Sequence, residues 1–90
     1  MIVKDIFYSK DFISQFEKLS SDLQKAAAKK EKMFYHNPLH PLLRLHGLKG
    51  SLSGLFSISI TMNYRIIFKR TNTGDIIFIS IGRHDIYKNL

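Results

Sequence analysis

Beyond residue 43 the chain gathers cations and imidazoles: Arg44, His46, Lys49, Arg65, Arg83 and His84, with Tyr87 following. Carboxylates are scarce there. The stretch has no Glu and only Asp75 and Asp85, so hydrolysis by a pair of carboxylates has little material. Histidine is then the natural proton carrier. Cutting an RNA phosphodiester by acid–base chemistry takes a base for the 2′-hydroxyl proton, a cation for the charge of the pentavalent phosphorane, and an acid for the departing 5′-oxygen. Two histidines and an arginine meet those needs, and arginine suits phosphate because its planar fork donates in pairs. Taken singly, each residue also has a plainer reading: a loop histidine in water, or Arg65 in a salt bridge to Asp75 or Asp85.

Other chemistries find less support. Gly47, Gly50 and Gly54 lack the lysine and hydroxyl context of a phosphate-cradling loop, and no metalloprotease helix or nucleophile elbow is present. His36 and His40 have ligand spacing only on a continuous helix, which Pro38 interrupts. Neither a metal nor a cofactor is expected. The absence of cysteine removes disulfides and thiolate zinc sites. Fourteen Lys and Arg against seven Asp and Glu give a net charge of +7, which favours a polyanion or an acidic protein as partner. Residues 1 to 37 hold seven lysines and five acids, whereas residues 38 to 90 hold seven basic residues, including all four arginines, and two acids. Lys25, Lys29, Lys30 and Lys32, interleaved with Ala26 to Ala28, read as a solvated helix face without a specific role.

Ninety residues suit one domain, and hydrophobic periodicity supplies its elements. Ile2 to Tyr8 alternates as a half-buried strand. Ser9 can cap a helix of about eleven residues in which Phe12, Ile13, Phe16 and Leu19 mark one face. Ser20 to Asp22 reads as a break and a second cap, followed by a stripe from Leu23 to Phe34 that ends near Asn37 before Pro38. Residues 38 to 50 read as a loop. From Leu55 the period becomes two, with Phe56, Ile58, Ile60 and Met62 on one face and Ser57, Ser59 and Thr61 on a face expected to be wet. Tyr64 to Arg70 and Asp75 to Arg83 are further strands around a turn at Thr71 to Gly74. The order β-α-α-β-β-β is an α+β fold, a helical hairpin on one face of a small antiparallel sheet, with the other face open to a ligand. Parity alone leaves open whether Arg65 and His84 share the serine face; a bulge or strand end would put them there. The opening residues lack a signal-type apolar run and Ile76 to Ile79 is far shorter than a membrane span, so a soluble, cytosolic chain is expected.

The stretch His46-Gly47-Leu48-Lys49-Gly50, Leu52-Ser53-Gly54, Phe56, Tyr64-Arg65-Ile66-Ile67-Phe68 and Ile81-Gly82-Arg83-His84 with Tyr87 resembles the RelE/ParE superfamily of type II toxin–antitoxin toxins. The order of elements is also similar to that family's. The resemblance implies a toxin that enters the ribosomal A site and cleaves mRNA as it is translated, held inactive by a cognate antitoxin. By matched position, the resemblance implies that Arg65 contacts the phosphate, that His84 falls in the segment supplying a general acid or its equivalent, that Tyr87 stacks or orients RNA, and that His46 stands at the base position of a histidine-using subgroup, where other branches carry a Glu or lysines. Arg44, Lys49 and Arg83 would bind substrate. Where that subgroup carries a further histidine and an acid, this chain has Ser59 and Asn63. The ParE branch, which poisons DNA gyrase without cutting RNA, and a decayed RNA-binding homologue are the alternatives the same resemblance leaves open.

Overall fold

Ser9 ends the first strand and starts the first helix. Its hydroxyl accepts from the Phe12 N–H at 3.0 Å and donates to the Ile79 carbonyl at 2.7 Å, so one side chain caps a helix and ties it to the last strand. In the computed structural model, which describes residues 1–86 and 90, strand β1 (Ile6–Tyr8) leads into α1 (Lys10–Glu17) and α2 (Ser21–His36). Helix α1 is eight residues long, shorter than its apolar stripe suggests. Ser20 caps α2 through the Leu23 N–H at 3.2 Å, and α2 stops at His36 with Asn37 as its C-terminal cap. His40 caps the next turn, Pro41–Leu43, by accepting from Leu42 N. Ser9→Ala should cost about 1–2 kcal/mol, read as a fall in melting temperature of about 4–8 °C per kcal/mol; an unchanged melt would remove the tie from the account.

Three further strands, β3 (Leu55–Ser59), β4 (Tyr64–Arg70) and β5 (Ile76–Arg83), form the expected antiparallel meander. Two features enlarge it. A two-residue strand β2 (His46–Gly47), in what reads from sequence as loop, pairs antiparallel with β3, and β1 pairs with β5 in parallel. The sheet is therefore mixed, five strands in the order β1-β5-β4-β3-β2. Only Ile6 to Tyr8 of the longer alternating run is strand, because those three residues alone are in register with β5.

Both helices pack on one face of this sheet. Phe12, Ala27 and Phe34 meet Ile58, Ile66, Phe68, Ile76, Phe78 and Ile81 in a continuous core, with the Phe34 ring 5.0 Å from Phe68 and the Phe12 ring 5.4 Å from Phe78. Each such ring contributes about 1.5–3 kcal/mol by burial. Along β5 the pairing jumps, with Phe78 opposite Phe68 and Ser80 opposite Ile67, leaving Ile79 as an extra residue. This bulge resets the alternation, so that Phe78 and Ile81 both face the core and Gly82 falls opposite Arg65. Among the described residues, no helix is long and apolar enough to cross a membrane.

Candidate active site

The face of the sheet away from the helices carries Arg65 and His46, and the strand register says how they line up. Arg65 on β4 is level with Ser59 on β3 and with Gly82 on β5. Two residues along, His46 on β2 is level with Ser57, and Ser57 with Ile67. Directly paired residues project to the same side, so His46, Ser57, Ser59, Arg65 and Ile67 share this face. The bulge at Ile79 is what brings Gly82 into line with Arg65.

The serine side proves to be covered rather than wet: Ser57 is fully buried, as is Ile67, and Ser59 is 7% exposed. Part of the cover is the chain's own return. Where a Cβ on Gly82 would stand, on the Arg65 side, lies Cγ2 of Ile86. Gly82 is thus required for a close approach, a role that sequence shows only as a glycine inside a β-branched strand. Ser59 spends its hydroxyl on the Thr61 carbonyl at 2.8 Å.

Arg65 is half-buried, and its Nε and Nη1 are buried with no hydrogen-bond partner among the described residues. The Ser57 Oγ is in the same condition. The salt bridge to Asp75 or Asp85 that would make Arg65 structural does not form. A buried donor without an acceptor costs about 1–3 kcal/mol, more when charged. A cationic fork held this way is pre-organised for an anion that supplies the missing acceptors.

The imidazoles flank this arginine. His46 is exposed, and its Nδ1 lies 3.1 Å from the Arg44 carbonyl. A carbonyl can only accept, so Nδ1 carries the proton in that contact, and a neutral ring keeps its lone pair on Nε2. His84 follows β5, is exposed, and donates its backbone N–H to the Asn63 carbonyl at 2.8 Å. Three strand spacings of about 4.8 Å separate β2 from β5, about 14 Å between the outer backbones. The histidines therefore do not touch each other; they stand on opposite sides of the Arg65 column.

The remaining cations divide. Arg44 is exposed and held at φ 48°, in the left-handed region, with its N–H on the Pro41 carbonyl. Lys49 is exposed in the loop after β2. Arg83 lies over the Tyr64 ring at 5.7 Å; Tyr64 packs against the core, so Arg83 is turned to the face opposite Arg65. Tyr87 lies outside the described residues. Sequence reasoning passed over Gly82, Ile86 and the burial of Ser57.

Away from this face, Tyr8 donates its hydroxyl to Glu31 Oε2. Burial first, then the hydrogen bond and the negative charge of Glu31, raise its phenol from 10.0 to about 12. The folded state thus holds this proton to higher pH than the unfolded chain, so the stability it lends is complete below about pH 10 and is lost as pH rises through about 12. Phenolate absorbance should show a late-titrating component in the wild type that is lost in Tyr8→Phe; unchanged curves would remove the pair.

No protein-family model matches the sequence, and no curated protein matches it. Solved structures do match. The YoeB/ParE toxin from Agrobacterium tumefaciens superposes with a TM-score of 0.76 at 16% identity, over 90% of this chain and 99% of that one. YafQ from Escherichia coli gives 0.77 at 19% identity, over 93% and 97%. The toxin–antitoxin complex DinJ–YafQ from Escherichia coli gives 0.74 at 21% identity, over 92% and 94%. The chain shares the fold of these toxin structures, which is the fold that the resemblance implies.

Proposed function

We propose that the protein is the toxin of a type II toxin–antitoxin pair and an endoribonuclease that cuts mRNA on the translating ribosome. The observation that carries this reading is the Arg65 guanidinium, whose Nε and Nη1 are buried on the sheet face away from the helices without a partner among the described residues, flanked by strands that bring one histidine to each side. In the reaction, Nε2 of His46 takes the 2′-hydroxyl proton of the upstream nucleotide as that oxygen bonds to phosphorus. Arg65 receives the charge that builds on the non-bridging oxygens. His84 gives a proton to the 5′-oxygen as the P–O5′ bond breaks, leaving a 2′,3′-cyclic phosphate and a free 5′-hydroxyl. In-line displacement places base and acid on opposite sides of phosphorus, which suits imidazoles on opposite flanks of the arginine. Arg44 and Lys49 hold neighbouring phosphates, and Tyr87 orients a base.

The second component of the proposal is a cognate antitoxin. The solved relatives include a toxin–antitoxin complex, and this chain exposes Phe7, Ile13 and Tyr35 on β1 and the two helices, apolar surface that a protein partner would cover.

Primer extension on a defined mRNA in a purified translation system tests the reaction. The wild type should give discrete cuts within the reading frame only when ribosomes are present, and His84→Ala should slow them by about 100-fold or more. Intact mRNA from a folded protein would overturn the nuclease reading and leave gyrase inhibition as the one to assay.

A further inference from the structure

The β3–β4 turn, residues 60–63, holds one unexplained side chain, Met62, in place. Ile60 N donates to the Tyr64 carbonyl at 2.9 Å, Asn63 N to the Thr61 hydroxyl at 3.3 Å, and the Ser59 hydroxyl to the Thr61 carbonyl at 2.8 Å. On this pinned turn Met62 is 88% exposed, and across from it Leu42 is 58% exposed. Between them lies a hollow of about 240 Å³, lined also by Lys30 from α2, Arg44, Ser59 and Thr61.

The hollow is continuous with the Arg65 column. His46 pairs with Ser57, so the same antiparallel count brings Arg44 to the level of Ser59, and Ser59 is the register partner of Arg65. One side of the hollow is cationic, through Lys30 and Arg44, and the other presents two flexible or branched aliphatic side chains to solvent. A nucleotide carries the complement of both, a phosphate and a base with a polarizable face. Arg44 is also held in a left-handed conformation that a non-glycine residue adopts at a cost of about 1 kcal/mol, which fixes where its side chain leaves the backbone.

We infer that this hollow is a subsite for the nucleotide of single-stranded RNA one position further upstream than the nucleotide that carries the attacked 2′-hydroxyl, its phosphate on Arg44 and Lys30 and its base against Met62 and Leu42. The upstream assignment follows from His46. The 2′-hydroxyl it deprotonates belongs to the upstream nucleotide, and the hollow lies on the β2 side of Arg65, as His46 does. This subsite rests on the nuclease reading, and it gives Lys30 a function that its place in a lysine-rich helix conceals.

Titrating ¹⁵N-labelled protein with RNA whose reactive 2′-hydroxyl is replaced by hydrogen tests it, comparing a dinucleotide with a tetranucleotide. Both should shift the amides of Ser59, Arg65 and Gly82, and only the tetranucleotide those of Arg44, Thr61 and Met62. The longer RNA should bind about fivefold tighter or more, and Lys30→Gln or Met62→Ser should each shrink that advantage to about twofold or less without weakening the dinucleotide. Equal affinity for both lengths, or an advantage the variants leave intact, would overturn the subsite while the Arg65 site stands. If neither RNA moves the Arg65 amide, the nuclease reading itself falls, and the subsite with it.

Discussion

Arg65→Ala should lose growth arrest and mRNA cleavage by about 100- to 1,000-fold or more, the range for removing a donor aimed at developing charge, while its melting temperature holds or rises. Both halves follow from one observation. Two guanidinium nitrogens are buried with no acceptor among the described residues, an arrangement that costs stability while no acceptor is supplied and that an arriving anion would relieve. Truncation removes the cost together with the function, the trade expected of a site kept ready for its ligand. Arg65→Lys should recover little, because an ammonium keeps the charge but not the two-pronged geometry. Cleavage assays and thermal melts on the same preparations decide it: a variant that unfolds readily would make Arg65 a structural residue, and one that still cuts mRNA would remove it from the chemistry.

Gly82→Ala is the second large effect. The new methyl group would occupy the position of Ile86 Cγ2, and displacing that side chain uncovers the sheet beside Arg65. Overpacking of this kind costs about 1–3 kcal/mol. Activity should fall as well, because the segment that leaves the sheet at Gly82 carries His84. Adding Ile86→Ala to Gly82→Ala should return much of the stability, since the collision needs both side chains, and the two changes should be clearly non-additive. Additive losses would mean that Gly82 matters for some reason other than Ile86.

What the sequence disclosed and what it withheld divide by the range of the interactions involved. Ser9, Ser20 and Pro38 act on backbone groups within a few residues, so both helices were legible almost to their ends. The meander was legible for the same reason, through its period of two. The parallel pairing of β1 with β5 joins distant stretches of chain and has no local signature. The face of Arg65 could be stated only conditionally; its direct pairing with Ser59 puts it on the serine face, and the bulge at Ile79 then brings Gly82 level with it. Ser57 and Ser59 read as wet because small hydroxyl residues on alternate positions usually are; their burial is imposed by the tertiary fold and has no local signature. Arg83, grouped by type with the other cations, is turned away by its pairing with Tyr64.

The parallel pair has a consequence in time. Ile6 waits for Ile76, seventy positions later, and Arg65 acquires its neighbour Gly82 only with the last strand. At roughly 5 to 20 residues per second, synthesis takes roughly 4 to 14 s to pass from one end of that pair to the other. For most of that interval Arg65 has not yet been made, and once made it waits for Gly82 before its column is complete. The sheet face around Arg65 is therefore among the last parts of the fold to form, and until then the earlier elements are open to a partner already present.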